Sequence, residues 1–277
     1  MASSVSGWQA RLALAFARQG QRTVLTRSDH QGPLLVQRPF YPEADGACHV
    51  YVLHPPGGLV GGDELQLEAR LAPESQALLT TPAAGKCYRS RGAIARQVQI
   101  LQIAEGASLE WLPQETILFS GAQVRSVTRV EISGYARFIG WEILCLGRPA
   151  AGEAFTEGGC RQSLEIWRDG VPLYLEQGYY QGGSELLRAR WGLNGMPVIS
   201  SLVCVGDGSA SLPAIREIAA GLKENEDFGV SQLDGILVCR YRGPSTERAR
   251  LLFRRAWAAL RPAVLGKGIS PPRIWHT

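Results

Sequence analysis

His54-Pro55-Pro56-Gly57-Gly58-Leu59-Val60-Gly61-Gly62-Asp63 is a stretch that neither a helix nor a regular strand ladder absorbs. Two prolines fix φ and remove donors, and four glycines free the backbone, so the segment is a stiffened turn that allows close backbone approach. Strands bracket it. His49 to Leu53 precedes it, and Glu64 to Leu71 follows with Leu65, Leu67, Ala69 and Leu71 on one side and Glu64, Gln66, Glu68 and Arg70 on the other. A residue able to bind metal or move protons stands at each end, His54 and Asp63. Turn chemistry alone also accounts for the segment, as a hairpin connection whose His and Asp satisfy backbone groups. No Gly-Lys-Ser/Thr follows the glycines, so it is not a phosphate loop.

Working outward, the period of two persists. Trp8, Ala10, Leu12, Leu14 and Phe16 alternate with polar or small residues, and Gly20 breaks the run before Arg22 to Thr26 resumes it. Pro39 and Pro42 bracket Phe40-Tyr41, an extended edge-type segment. Further strands are expected at Ala77–Thr81, Gln97–Ile103, Ser108–Leu112, Val124–Ile132 and Ala136–Leu146, with a second turn-rich stretch from Thr80 to Ser90. Strand follows strand without βαβ alternation. The expected fold is therefore mainly β, with layered, largely antiparallel sheets. A sandwich, a barrel or an irregular β-helix-like stack all accommodate it, although no strict repeat supports a regular solenoid.

Two α-helices are expected in the C-terminal third. The first starts at Ser211, read as its N-cap, with Pro213 in the first turn. Ser245 caps the second, where Ala249, Leu252, Phe253, Ala256, Trp257 and Leu260 form one apolar stripe. That stripe predicts packing on a sheet; Arg248, Arg250, Arg254, Arg255 and Arg261 are expected to cover the rest. The tail from Ser270 to Thr277 is extended and carries Trp275.

Composition narrows the function. In 277 residues, 45% are hydrophobic and 19% charged, ordinary for a globular chain able to bury a sizeable core. No apolar run reaches the length of a membrane span, and Leu12–Phe16 is too short and too closely flanked by Arg11 and Arg18 for a signal peptide. A cytoplasmic protein is expected. Lysines number only three of 29 basic residues, but the arginines are scattered, with no basic stripe for nucleic acid. Six single cysteines without a Cys-x-x-Cys pair argue against structural zinc and, in a cytoplasmic chain, against disulfides.

The unusual carboxylates are Asp63, Glu115, Glu142 and Glu153. Glu142 lies in Phe138-Ile139-Gly140-Trp141-Glu142-Ile143-Leu144, where burial demands either a partner or a raised pKa. Arg148 is a natural partner for Glu153. Gly-x-Ser-x-Gly, His-Glu-x-x-His and calcium-loop patterns are absent, so no nucleophile–base pair is legible.

Gly32-Pro33-Leu34 through Arg38-Pro39-Phe40-Tyr41-Pro42-Glu43, His54 to Gly58 through Gly62-Asp63, Thr80-Thr81-Pro82 with Lys86, Trp111 to Glu115, Leu146-Gly147-Arg148 with Gly152-Glu153, and Pro272 to Trp275 together resemble the urease accessory protein UreD family (UreH in some systems). The likeness runs through the whole chain and implies a single domain over residues 1–277. It implies a non-enzymatic maturation factor that acts with UreF, the GTPase UreG and the urease structural subunits to deliver nickel. No permanently bound cofactor, nucleic acid or membrane is implied, only transient nickel in a polar internal passage. On that reading His54, Asp63 and Glu142 offer transient ligands, and Gly57, Gly58, Thr80, Thr81, Lys86, Glu115 and Glu153 shape the passage wall or its loops. Arg254, Trp257, Arg273 and Trp275 on the C-terminal helix and tail contribute to docking UreF. The competing reading is a β-rich hydrolase or lyase with His54 and Asp63 as an acid/base pair; a third is a β interaction module with no metal role.

Overall fold

A computed structural model describes residues 7–276. Strands β1 (Gln9–Gln19), β2 (Arg22–Gln31), β3 (Leu35–Val36), β4 (Cys48–Leu53), β5 (Glu64–Leu71) and β6 (Gln76–Thr80) open the chain. They are followed by β7 (Gly85–Cys87), β8 (Ala95–Ile103), β9 (Ser108–Leu112), β10 (Thr116–Leu118), β11 (Gln123–Ile132) and β12 (Arg137–Arg148). The remaining strands are β13 (Glu153–Ala154), β14 (Gly159–Arg168), β15 (Val171–Gln181), β16 (Val198–Val205), β17 (Asp227–Leu233) and β18 (Ile236–Gly243). A single turn, α1 (Glu185–Arg188), joins the two expected helices, α2 (Leu212–Ala219) and α3 (Thr246–Leu265).

From β4 to β14 the long strands alternate between two sheets. The first runs β15-β14-β11-β8-β5-β1-β2 and the second β17-β18-β16-β12-β9-β6-β4-β3, with β7, β10 and β13 on the side of the second. The mainly β expectation holds, in its stacked form. Its antiparallel part needs correction. The middle of each sheet is parallel, β5, β8, β11 and β14 in one and β4, β6, β9 and β12 in the other. Antiparallel pairing is confined to the flanks, as in β1–β2, β14–β15 and β17–β18. The physical reason lies in the connections. Hairpins form where a tight turn supplies positive φ, as at Asp169-Gly170 (φ 51 and 79) between β14 and β15. The central turns instead swing the chain to the other sheet. Ala72–Ser75, Ala104–Ala107 and Ser133–Ala136 are four-residue corners closed by Ser75 N–H to Ala72 O, Ala107 N–H to Ala104 O and Ala136 N–H to Ser133 O. They recur at roughly 30-residue spacing, a geometric repeat without a sequence repeat. The His54–Asp63 turn is likewise a crossover, from β4 to β5, and not a hairpin.

Apolar side chains fill two spaces. One core, including Leu12, Leu67, Leu101, Val130 and Phe138, lies between the sheets. The other lies between the second sheet and the helices, where the predicted stripe of α3 is fully buried against Ile139, Trp141, Leu202 and Cys239. All six cysteines are free and buried. Ser245 caps α3 as expected, accepting from Arg248 N–H at 3.2 Å. Ser211 does not cap α2 through its side chain; its hydroxyl donates to Ala259 O at 2.8 Å and ties α2 to α3. Arg261, expected on the polar face of α3, is 0% exposed.

Candidate functional site

The corners close one end of the stack, and the long crossovers lie at the other. There Leu59 N–H donates to Lys86 O at 2.7 Å, and β7 pairs with β10, which pairs with β12, so the loops stack as the strands do. Gly58 is required by this stacking, because a Cβ there would overlap the Tyr88 ring. Gly57 takes φ 78, a left-handed value that glycine adopts at little cost. Beneath the loops a cavity of about 180 Å³ opens between the sheets. His54, Gly57, Gly58, Thr81 and Glu142 all line it, so it unites five of the ten residues expected to form the passage.

The other five lie elsewhere. Asp63 is 5% exposed, and its carboxylate holds the turn together by accepting from Trp8 N–H at 2.9 Å and Val60 N–H at 2.8 Å. Thr80 faces the helices, where its hydroxyl donates to Leu112 O and accepts from Trp275 Nε1–H at 3.1 Å. Lys86 is exposed on the loop surface. Glu115 turns to α3 and pairs with Arg250 at 3.2 Å. Glu153 pairs with Arg148, Nε–H to Oε2 2.8 Å, and accepts from Ser120 N–H. Among the residues expected to dock a partner, Trp257 is 1% and Trp275 8% exposed. Trp275 packs on both Trp257 and Trp141, so the rings hold the tail down and offer no free face; Arg254 stacks on Trp275, and Arg273 is exposed.

Glu142 is the centre of the interlayer space. Its Oε1 lies 2.5 Å from the Thr128 hydroxyl, which is also 3.0 Å from Gln99 Oε1, and its Oε2 accepts from Gln162 Nε2–H at 2.5 Å. Among the described residues no cation is paired with it. Burial pushes its carboxyl up to about 7; the hydrogen bonds from Thr128 and Gln162 oppose the rise, and the Glu176 charge adds to it. Burial moves His54 the other way, lowering its pKa against the pull of Asp63. Glu142 and Gln162 also line a second cavity, of about 520 Å³, together with Glu176, Tyr180, Ser201 and Arg240. Register builds this continuity: Glu142, Ser201 and Arg240 sit side by side on β12, β16 and β18. Opposite them, Gln97, Ser126 and Gln162 are neighbours on β8, β11 and β14. A polar row thus crosses the apolar interlayer space from one cavity to the other.

Sequence reasoning missed Gln99, Thr128, Gln162, Glu176, Ser201 and Arg240. A signal existed for the first three: each occupies an inward position of a strand whose other inward residues are mostly apolar, such as Leu101 and Ile103 in β8 or Leu164 and Ile166 in β14. Among the described residues no three His, Cys, Asp or Glu side chains converge to hold a metal ion, and no helix is long and apolar enough to cross a membrane.

Fold and site define a stacked two-sheet scaffold crossed by an internal polar row. The chain is 48% identical over 98% of its length to a protein of Azoarcus sp. (strain BH72) described as urease accessory protein UreD, covering 95% of that relative. It is 46% identical to the Dechloromonas aromatica (strain RCB) protein of the same description, with 98% and 95% covered, and 45% identical to urease accessory protein UreD 2 of Brucella anthropi, with 98% and 99% covered. The family model for the UreD urease accessory protein matches residues 9–276, and the chain belongs to that family. Its members are accessory factors of urease and not catalysts, which sets aside the hydrolase or lyase reading of His54 and Asp63.

Proposed function

We propose that this chain serves urease maturation as a scaffold and metallochaperone that passes nickel, as cargo, through the space between its two sheets. Glu142 carries the reading: a carboxylate with no counter-cation among the described residues, shared by two cavities, in a largely apolar layer. A passage needs oxygen or imidazole donors that bind a hydrated divalent ion weakly enough to release it. His54 at the loop end and Glu142 at the junction supply such donors, while Asp63 keeps the turn that positions His54. The Gln and Thr side chains around Glu142 orient its carboxylate and keep the route polar. UreF, UreG and apo-urease are the partners we assign, in a cytoplasmic setting, with nucleotide hydrolysis left to UreG. The exposed side of α3, with Arg255 and Leu251, and the exposed Arg273 replace Trp257 and Trp275 as the surface offered to UreF.

The test is urease activity and nickel content in cells making the urease subunits, the other accessory proteins and either wild-type or Glu142→Ala chain. Loss of a donor at the junction is expected to lower nickel incorporation at least about tenfold at limiting nickel, while the chain still enters its complex. Full activation by a folded, complex-forming Glu142→Ala chain overturns the passage reading.

A further inference from the structure

The polar row ends in a positive charge. Arg240 lines the second cavity, yet its side chain is 61% exposed, which puts the guanidinium at the mouth. Its Nη2 donates to the Tyr174 hydroxyl at 2.9 Å and lies 3.4 Å from Glu176 Oε2. Tyr174 in turn donates to Glu176, whose other oxygen accepts from the Ser201 hydroxyl at 3.0 Å. Tyr174 and Glu176 belong to β15 of the first sheet, Arg240 and Ser201 to β18 and β16 of the second, so the group clasps the two sheets together beside the cavity.

We propose that Arg240 gates this mouth: clasped to Tyr174 and Glu176 it bars a divalent cation, and swung into solvent it opens the way. The inference rests on the reading of the interlayer space as the nickel path. Three observations carry it. A guanidinium is permanently cationic and repels a dication that has to pass the mouth it lines. While in place it also neutralises Glu176, the carboxylate after Glu142 along the row, so release does two things at once: it removes the repelling charge and frees an oxygen donor. Finally, Arg240 is built to move. A largely exposed ion pair adds little stability, and a long side chain beside open water has somewhere to go. Its neighbour Arg242 marks the contrast: only 28% exposed, it is tied both to Asp227 and to Gly192 O.

The experiment measures the initial rate of nickel incorporation into urease at limiting nickel, in cells carrying the complete accessory set, with Arg240→Gln, Arg240→Lys, Tyr174→Phe and Glu142→Ala chains. Arg240→Gln is expected to raise the rate about tenfold, since removing a like charge from a lined cleft acts on ion entry at that scale. Arg240→Lys, which keeps the charge, is expected to stay near wild type. A clasp with a purely structural role predicts a lower yield and no faster rate. Tyr174→Phe removes one hydroxyl from the clasp while keeping the ring in the core; it provides a milder acceleration and a second reading should Arg240→Gln fail to accumulate. If Glu142→Ala slows incorporation but neither Arg240→Gln nor Tyr174→Phe exceeds wild type, the gate is refuted and the path stands. If Glu142→Ala is as fast as wild type, the path itself falls and the gate with it.

Discussion

The second sheet carries a carboxylate on each of its faces, on adjacent strands, Glu110 buried and Glu142 half-buried, and the two have opposite surroundings. Glu110 on β9 points to the helices, 2% exposed, and meets Arg261 with Nε–Oε2 at 3.0 Å and Nη2–Oε1 at 3.0 Å, while Trp257 Nε1–H donates to it at 2.6 Å. Arg261 also reaches Glu43 at 2.6 Å and Gly268 O, so one buried guanidinium joins the segment before β4, the sheet, α3 and the chain after it. Glu142 on β12 points to the other sheet and has only neutral donors. The first is a cross-brace, with its charges matched and its donors used. The second is a carboxylate left without a cation between two cavities, and removal from solvent alone therefore does not identify a site. What separates them is whether a cation is already there.

The largest effect is expected from unmatching the brace. Arg261→Ala leaves Glu43 and Glu110 buried without their cation, which should cost about 3–5 kcal/mol of stability, read as the shift in a urea unfolding curve. Glu142→Ala, which removes an anion that has no cation, should cost less; a larger loss there than at Arg261 would reverse the assignment of roles.

The next effect is in pH and has opposite signs at the two places. Burial raises the Glu43 carboxyl, but hydrogen bonds from His49 and Arg261 and the Arg261 charge outweigh it and hold it at about 2, below the ordinary 4.5. Between those values the unfolded chain binds a proton that the native one does not, so this stabilisation is complete above about 4.5 and is lost as pH falls through 2. Glu142, raised to about 7, works the other way: the native state keeps a proton the unfolded chain has released. Its contribution is complete below about 4.5 and is lost as pH rises through 7, on the order of 1–3 kcal/mol. Urea titrations of wild type and Glu142→Gln across acid to neutral pH should therefore converge in slope below 4.5 and diverge toward 7, the wild type falling more steeply. Parallel curves would mean that Glu142 is not proton-bound in the native state.

The smallest effect sharpens the same contrast. Ser245 anchors the start of the helix that carries Arg261, and Ser245→Ala should cost about 1 kcal/mol by the same measurement. It should leave nickel incorporation unchanged, because no residue of α3 lines either cavity.

Much of the fold was legible in the sequence, and the legible parts share a cause. Alternation in β1 and β5, the Ser245 cap and the apolar stripe of α3 are local patterns, and each element formed as its pattern predicted. Pairing direction was not legible, because period two places a residue inside or outside a sheet and says nothing about which strand lies alongside. Tight turns such as Asp169-Gly170 and Asp234-Gly235 and the four-residue corners were local hints, and the corners at Ala72, Ala104 and Ser133 share geometry more than residues. For the site, His54, Gly58, Thr81 and Glu142 were singled out in the sequence and do meet at one cavity. Asp63, Glu115 and Glu153 looked equivalent to Glu142 in sequence but proved to be occupied, by backbone N–H groups, Arg250 and Arg148.

The sequence by itself determined a mainly β chain with two late helices, a glycine-rich crossover, family membership and a carboxylate set among apolar neighbours. Only the tertiary structure decided which carboxylates are matched and which is left open. That decision depends on residues far apart in the chain, Glu110 with Arg261 and Glu142 with Gln162 and, along the row, Ser201 and Arg240. Coulomb and hydrogen-bond energies act over a few ångströms of space, and no local pattern in a chain specifies which distant side chains the fold will bring within that reach.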